Sequence, residues 1–235
     1  MKFYKNTAIL LFLIFSISSF GQRREKIEYL SNFDKDPIHF GFYLGGNKMD
    51  YKISYKARQN FPNAYVESVP EMGFNLGIIA DIRIHKNINL RFEPGLLTNS
   101  KKLYFRHIDN KVDSIRKASG TFLHLPLLMQ FSTDRIGNYR PYVVGGMTYE
   151  YNFASNFDNP HDNSGGQFRL QKHNFMYEIG IGMDFYFYMF KFSPSIRGLF
   201  ALNNEIKRDD DPNSQWTTPV DFFGTRGLFI QLSFQ

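Results

Sequence analysis

Between Ile38 and Gly45 the large apolar side chains take the even positions, Ile38, Phe40, Phe42 and Leu44, while His39, Gly41, Tyr43 and Gly45 take the odd ones. The same period of two runs from Glu71 to Ile84, where Met72, Phe74, Leu76, Ile78, Ala80, Ile82 and Ile84 alternate with Glu71, Gly73, Asn75, Gly77, Asp81 and Arg83, Ile79 being the apolar exception. A helix repeats its apolar face every three to four residues, so this spacing predicts strands with one apolar and one polar face. Six further segments follow the rule: Asn87–Leu97, Thr121–Ser132, Arg140–Phe153, His173–Tyr186, Phe190–Asn203 and Arg226–Phe234. Several are long for strands of a soluble domain.

Connection lengths alternate as regularly as the faces do. They are short at His85-Lys86, Thr133–Tyr139 and Phe187–Met189, and long at Gly46–Pro70, Asn99–Gly120, Ala154–Lys172 and Asn204–Thr225. Short turns at one end and long loops at the other are the pattern of an outer-membrane barrel, and loops of this length are unusual inside a compact soluble domain. The expected fold is therefore all-β: an eight-stranded antiparallel up-and-down transmembrane barrel with short periplasmic turns, four long extracellular loops and both termini periplasmic. A single apolar face also builds soluble sandwiches and lipocalin-like barrels, which put the large apolar residues inside. Here the other face carries glycines and charges, which suit the narrow interior of a small membrane barrel.

The N-terminus sets the compartment. Lys2 and Lys5 precede an apolar run from Thr7 to Phe20, and small residues at Ser18, Ser19 and Gly21 stand before Gln22. That is the layout of a secretory signal peptide over residues 1–21, followed by a short periplasmic segment over 22–37 and the barrel over 38–235. A membrane anchor is the alternative, but the run is short and Gln22, Arg23, Arg24, Glu25 and Lys26 follow at once. The 17% aromatic content excludes a disordered chain, and a mean hydropathy of -0.36 with one apolar stretch excludes a polytopic helical protein. Removing Lys2 and Lys5 lowers the formal charge from +6 to +4, too little to indicate a nucleic-acid partner. With no cysteine, thiolate metal sites, disulfides and thiol nucleophiles are excluded.

The polar face supplies the candidate interior residues. A hairpin of the sixth and seventh segments centred between Phe187 and Tyr188 makes facing numbers sum to 375, which sets Asp184 opposite Lys191 and Glu178 opposite Arg197. Asp81 and Arg91 form a further interior pair on the second and third segments. Such charges would plug an eight-stranded barrel. Glu178 and Arg197 joining a wider network with Glu150, or lying at different heights because of a bulge near Pro194, is the open alternative.

A resemblance can be placed on four motifs: Phe122-Leu-His-Leu-Pro-Leu-Leu128 with its neighbours in the fourth segment, Pro141-Tyr-Val-Val-Gly-Gly146, Glu178-Ile-Gly-Ile-Gly-Met-Asp184 and Lys191-Phe-Ser-Pro-Ser-Ile-Arg197. With the leader, they make the chain resemble the PorT family, outer-membrane barrels of the type IX secretion and gliding-motility system. The resemblance implies an accessory, non-enzymatic protein needed for export of cargo and partnered by other envelope or secretion proteins. The other function class is a small OmpA/OmpX-like structural or adhesive barrel unrelated to secretion. Either would contact outer-membrane lipid and lipopolysaccharide, with no nucleic acid, no small-molecule substrate and no cofactor.

Other chemistry is weaker. Of the six histidines, His107, His161 and His173 fall near the outer side, with no serine and acid at a matching position for an acyl-ester hydrolase. Asp209-Asp210-Asp211 with Asn213 lacks the spacing of a dedicated calcium loop. No metal site is expected. The basic second loop offers Lys101, Lys102 and Arg106 for electrostatic contact, and Trp216, the sole tryptophan, is an interface or partner anchor.

Overall fold

The computed structural model describes residues 27–55, 65–108, 110, 114–155, 168–209 and 214–235; the leader and Asn163, Asp210, Asp211 and Asn213 lie outside them. Twelve strands are present among the described residues: β1 (Ile38–Tyr55), β2 (Val66–Pro70), β3 (Met72–His85), β4 (Ile88–Phe92), β5 (Gly95–Asn99), β6 (Lys101–Phe105), β7 (Ile115–Lys117), β8 (Gly120–Ser132), β9 (Tyr139–Asn152), β10 (His173–Tyr186), β11 (Lys191–Ala201) and β12 (Val220–Phe234). They form two antiparallel sheets. A nine-stranded sheet runs β1-β12-β11-β10-β9-β8-β4-β3-β5, with β3 also laddered to β1 and β5 also laddered to β8. The second sheet is β2-β6-β7.

A simple eight-stranded barrel with four irregular loops is thereby corrected. The wall has nine strands because the third expected strand, Asn87–Leu97, is broken into β4 and β5, which share one lane between β3 and β8. Pro94 sits at the break, and having no N–H it cannot donate to a ladder. Its carbonyl still accepts from the Ile78 N–H at 3.0 Å, and the Glu93 N–H donates to the Pro126 carbonyl at 3.2 Å, so the lane bends without opening. β1 is laddered on both edges, to β12 and to β3.

Sidedness is inverted relative to a soluble protein. Phe40, Ile78, Ile179 and Ile181 on the outer face are 62–75% exposed, while Asp81, Arg91, Glu93 and Arg197 on the inner face are at most 1% exposed. An apolar outer band around a polar interior is stable in lipid, where the strands satisfy one another's backbone groups. β3, β9 and β10 have 14 residues each, more than the ~9–11 a tilted strand needs to span a bilayer. Among the described residues no helix is long and apolar enough to do so.

Along β1 the sidedness reverses. Below Gly46 the outward residues are Ile38, Phe40, Phe42 and Leu44; above it the outward residues are Lys48, Asp50 and Lys52, and Met49, Tyr51 and Ile53 turn inward. The strand thus leaves the apolar band near Gly46 and continues into water, where the apolar face must be the inner one. β12 does the same, with Phe223 buried inward. This projecting part joins the second sheet to bury Tyr51, Val66, Leu103, Phe105, Phe168, Leu170, Ile206, Val220 and Phe223 in one cluster. The stretches expected as irregular loops therefore hold a folded cap.

Candidate functional site: a filled lumen closed at both ends

The lumen is filled in layers, each set by which inward positions of neighbouring strands share a height. At its centre Glu93, from the break between β4 and β5, accepts two hydrogen bonds from the Arg197 guanidinium of β11 at 2.6 and 3.1 Å. Arg91 of β4 pairs with the same carboxylate at 2.9 Å, and Gln231 of β12 donates to it at 3.0 Å. Arg91 also reaches Asp81, its cross-strand neighbour on β3, at 3.8 Å and donates to Gln130 of β8. Beside this group His124 of β8 sits between two carboxylates, with Nδ1 2.8 Å from Glu150 of β9 and Nε2 2.9 Å from Glu178 of β10. Thr148 donates to Glu178 at 2.6 Å, and Arg197 approaches it at 3.8 Å. Charges stripped of water are tolerated when paired and hydrogen-bonded in this way.

Tyrosines fill the remaining width because glycines make room for them. Tyr43 lies against Gly77 and Gly95, where an added Cβ would come within 2.7 Å of its Cε1 and 2.1 Å of its Oη, and it donates to the Glu93 carbonyl at 3.2 Å. Tyr142 lies on Gly182 in the same manner. Above the charged layer an apolar cluster, Met49, Leu97, Phe122, Met176, Leu199 and Phe229, packs inside the lumen, with buried Asn47, Asn75 and Asn152 opposite Phe229, Leu97 and Phe122 at the same height.

The turn end carries its own closure. Residues 27–37 fold back across it as a strap containing a short 3-10 turn, Phe33–Lys35. Arg135 donates to the carbonyls of Tyr29 and Leu30, and Asp34 takes Arg140 at 3.3 Å and the Tyr186 hydroxyl at 2.7 Å. Phe33 stacks on His39 with ring centroids 4.0 Å apart, and the Lys191 ammonium lies 4.9 Å over the Phe33 ring.

Several expected placements change. The hairpin between β10 and β11 is centred between Tyr188 and Met189, with Tyr186 opposite Lys191, Glu178 opposite Leu199 and Gly180 opposite Arg197. Facing residues are displaced by two from the expected register, because the Phe187 N–H closes on the Phe190 carbonyl at 2.9 Å and makes Tyr188-Met189 the two-residue turn. Asp184 and Lys191 consequently do not pair: Asp184 accepts from Ser193 at 2.5 Å, and Lys191 belongs to the strap closure. Glu178 and Arg197 are joined through a wider network that includes Glu150, and the first partner of Arg197 is Glu93. Asp81 and Arg91 do face each other. The residues missed as partners, Glu93, His124 and Gln231, were marked only by their inward parity.

The loop residues are also redistributed. Lys101 is 1% exposed and lies 3.8 Å over the Tyr51 ring inside the cap, so it is no surface contact. Burial pulls its ammonium down to about 8 despite the attraction of Glu205. Burial likewise pushes the Glu205 carboxyl up to about 7, against the pull of Lys101 and two hydrogen bonds from Thr225. Lys102 and Arg106 stay at the surface but pair across the cap with Glu71 at 2.9 Å and Glu67 at 2.5 Å. Trp216 packs on the cap cluster with the Arg116 guanidinium 4.8 Å over its ring. His173 bonds Tyr149 at 2.6 Å, and among the described residues no group of three or more His, Asp or Glu could hold a metal ion.

The family match agrees with the inverted sidedness. A family model described as "Outer membrane protein beta-barrel domain" matches residues 20–207. No curated protein matches the chain. Among solved structures, the outer membrane protein OprG from Pseudomonas aeruginosa is 13% identical, with 84% of this chain and 93% of that chain covered and a TM-score of 0.47. AlkL is 13% identical, covering 83% of this chain and 89% of that chain at a TM-score of 0.45. Neisserial surface protein A is 11% identical, covering 84% and 98% at a TM-score of 0.38. The resemblance to the PorT family is overturned by the family match, and the type IX secretion and gliding roles it implied fall with it. The chain is an integral outer-membrane protein, and it belongs to the outer membrane protein beta-barrel domain family.

Proposed function

We infer that this protein is a structural outer-membrane protein whose filled lumen conducts no solute and whose strands hold a rigid cap at the cell exterior. The observation that carries this reading is the stack across the lumen: the strap, the Arg91–Glu93–Arg197 centre, the apolar cluster around Phe229 and the cap cluster. A water-filled pore needs an open path, and these packed, buried side chains occupy it. The cap, raised above the lipid on the upper parts of β1 and β12, is the surface available to lipopolysaccharide, other cells or envelope proteins, with Lys102, Arg106 and Trp216 on it. In this reading the turn end and both termini face the periplasm.

Planar-bilayer recording tests the reading. The purified protein should give no steady current, whereas a stable conductance of porin size would refute it.

A further inference from the structure

Beneath the strap, at the turn end, lies a cleft of about 320 Å³. Its walls carry Lys35 of the strap, Arg83 of β3, Lys86 of the β3–β4 turn, and Arg135 and Arg140 around the start of β9. Three carboxylates also line it, Glu28, Asp34 and Asp134, leaving an excess of two positive charges. The carboxylates are not distributed evenly. Asp34 is taken by Arg140 at 3.3 Å and approached by Arg135 at 3.8 Å, and Asp134 by Lys86 at 2.9 Å. Arg135 and Arg140 have spent further donors on backbone carbonyls, Arg140 on Thr133 and Lys86 at 2.9 and 2.7 Å.

Arg83 is different. It projects from the inner face of β3, half-buried, and among the described residues its guanidinium has no hydrogen-bond or ion-pair partner, although it also borders the small polar pocket holding Asp184 and Lys191. Among the described residues Lys35 has only the Asn32 side-chain oxygen, at 3.1 Å. A planar fork of unspent donors beside an ammonium, in a cleft with excess positive charge, suits a tetrahedral oxyanion, which takes bidentate bonds from guanidinium and a point charge from lysine. The height fits as well. Ile82 and Ile84 flank Arg83 on the outer face and are the last apolar residues of β3 before His85 and Lys86, which puts the cleft level with lipid headgroups.

We propose that this cleft is a phosphate-binding site, in which Arg83 and Lys35 hold the phosphate group of either a soluble phosphate compound or a phospholipid of the adjoining leaflet. Occupation would tie the strap to β3 and lock the turn end shut.

The test uses the full-length protein in dodecyl maltoside, with phosphorus NMR titration in phosphate-free buffer. One arm adds inorganic phosphate and the other adds short-chain phosphatidylglycerol. Saturable binding in the first arm identifies a soluble ligand, and binding only in the second identifies a lipid. In either case Arg83→Gln should weaken binding roughly ten- to a hundredfold, the effect of losing a charge-assisted bidentate contact. Lys48→Gln, on the exposed outer face of β1 away from the cleft, should leave it unchanged. Heat-modifiable gel mobility confirms that each variant is folded, and Lys35→Gln, on the exposed strap, serves if Arg83→Gln does not fold. No saturable binding in either arm, or binding that neither variant weakens, overturns the proposal.

Discussion

Replacing Arg197 by methionine is the most direct test of the filled lumen. The side chain is 1% exposed, makes two hydrogen bonds to Glu93 and lies 3.8 Å from Glu178. Methionine keeps much of the volume and removes the charge. Glu93 would retain Arg91 at 2.9 Å and Gln231 at 3.0 Å, so its carboxylate would be under-compensated but not abandoned. Loss of one partner of a buried pair costs about 3–5 kcal/mol, most of it the desolvation of the charge left behind. The surviving partners place Arg197→Met near the lower end, about 3 kcal/mol. If that reasoning holds, neutralising the stranded acid should restore part of the loss. The double variant Glu93→Gln, Arg197→Met should then cost less than the sum of the single ones, with a coupling of about 2 kcal/mol or more. Urea unfolding in micelles, followed by far-ultraviolet dichroism and by heat-modifiable gel mobility, measures all three. A single-variant cost below about 1 kcal/mol, the value of a surface pair, or strictly additive losses would refute a desolvated pair.

Gly95→Ala should destabilise the barrel by about 1–3 kcal/mol or more, because the new methyl would meet the Tyr43 hydroxyl at 2.1 Å and backbone at 2.5 Å; the same unfolding titration checks it, and Tyr43→Phe should not relieve the backbone contact. For the cap, the Glu205 carboxyl is raised on folding from 4.5 to about 7, so its contribution is fully present below pH 4.5 and is lost as the pH rises to about 7. Glu205→Gln should flatten that fall, at most about 3 kcal/mol in size, in cap unfolding followed by Trp216 fluorescence between pH 4.5 and 7.5. Orientation is tested on whole cells with an impermeant thiol reagent: Asn110→Cys in the cap should be labelled and Met189→Cys, at the turn end, should not, and the reverse result would invert the topology.

What the sequence determined is which way each side chain points. Strand side chains alternate strictly, and lipid demands an apolar outer face, so the rows Ile38–Leu44, Met72–Ile84 and Phe175–Phe185 disclosed both the strands and their sidedness. Alternation has no memory of register, however. Moving the β10–β11 hairpin by two residues keeps every side chain on its face, so the same pattern accommodates Glu178 facing Arg197 and Glu178 facing Leu199. Only closure of the Tyr188-Met189 turn chose between them. Partners across the lumen, such as Glu93 and Arg197, are 104 residues apart and meet because the ring of strands brings their heights together. The cap was hidden for a different reason. Where β1 and β12 pass from lipid into water the apolar face moves from outside to inside, so a single-phase reading ends at Gly45 and starts again at Arg226, although the strands run on to Tyr55 and begin at Val220. Burial of Lys101 beneath that cap followed from the packing of β6 over Tyr51, which no local pattern around Lys101 encodes.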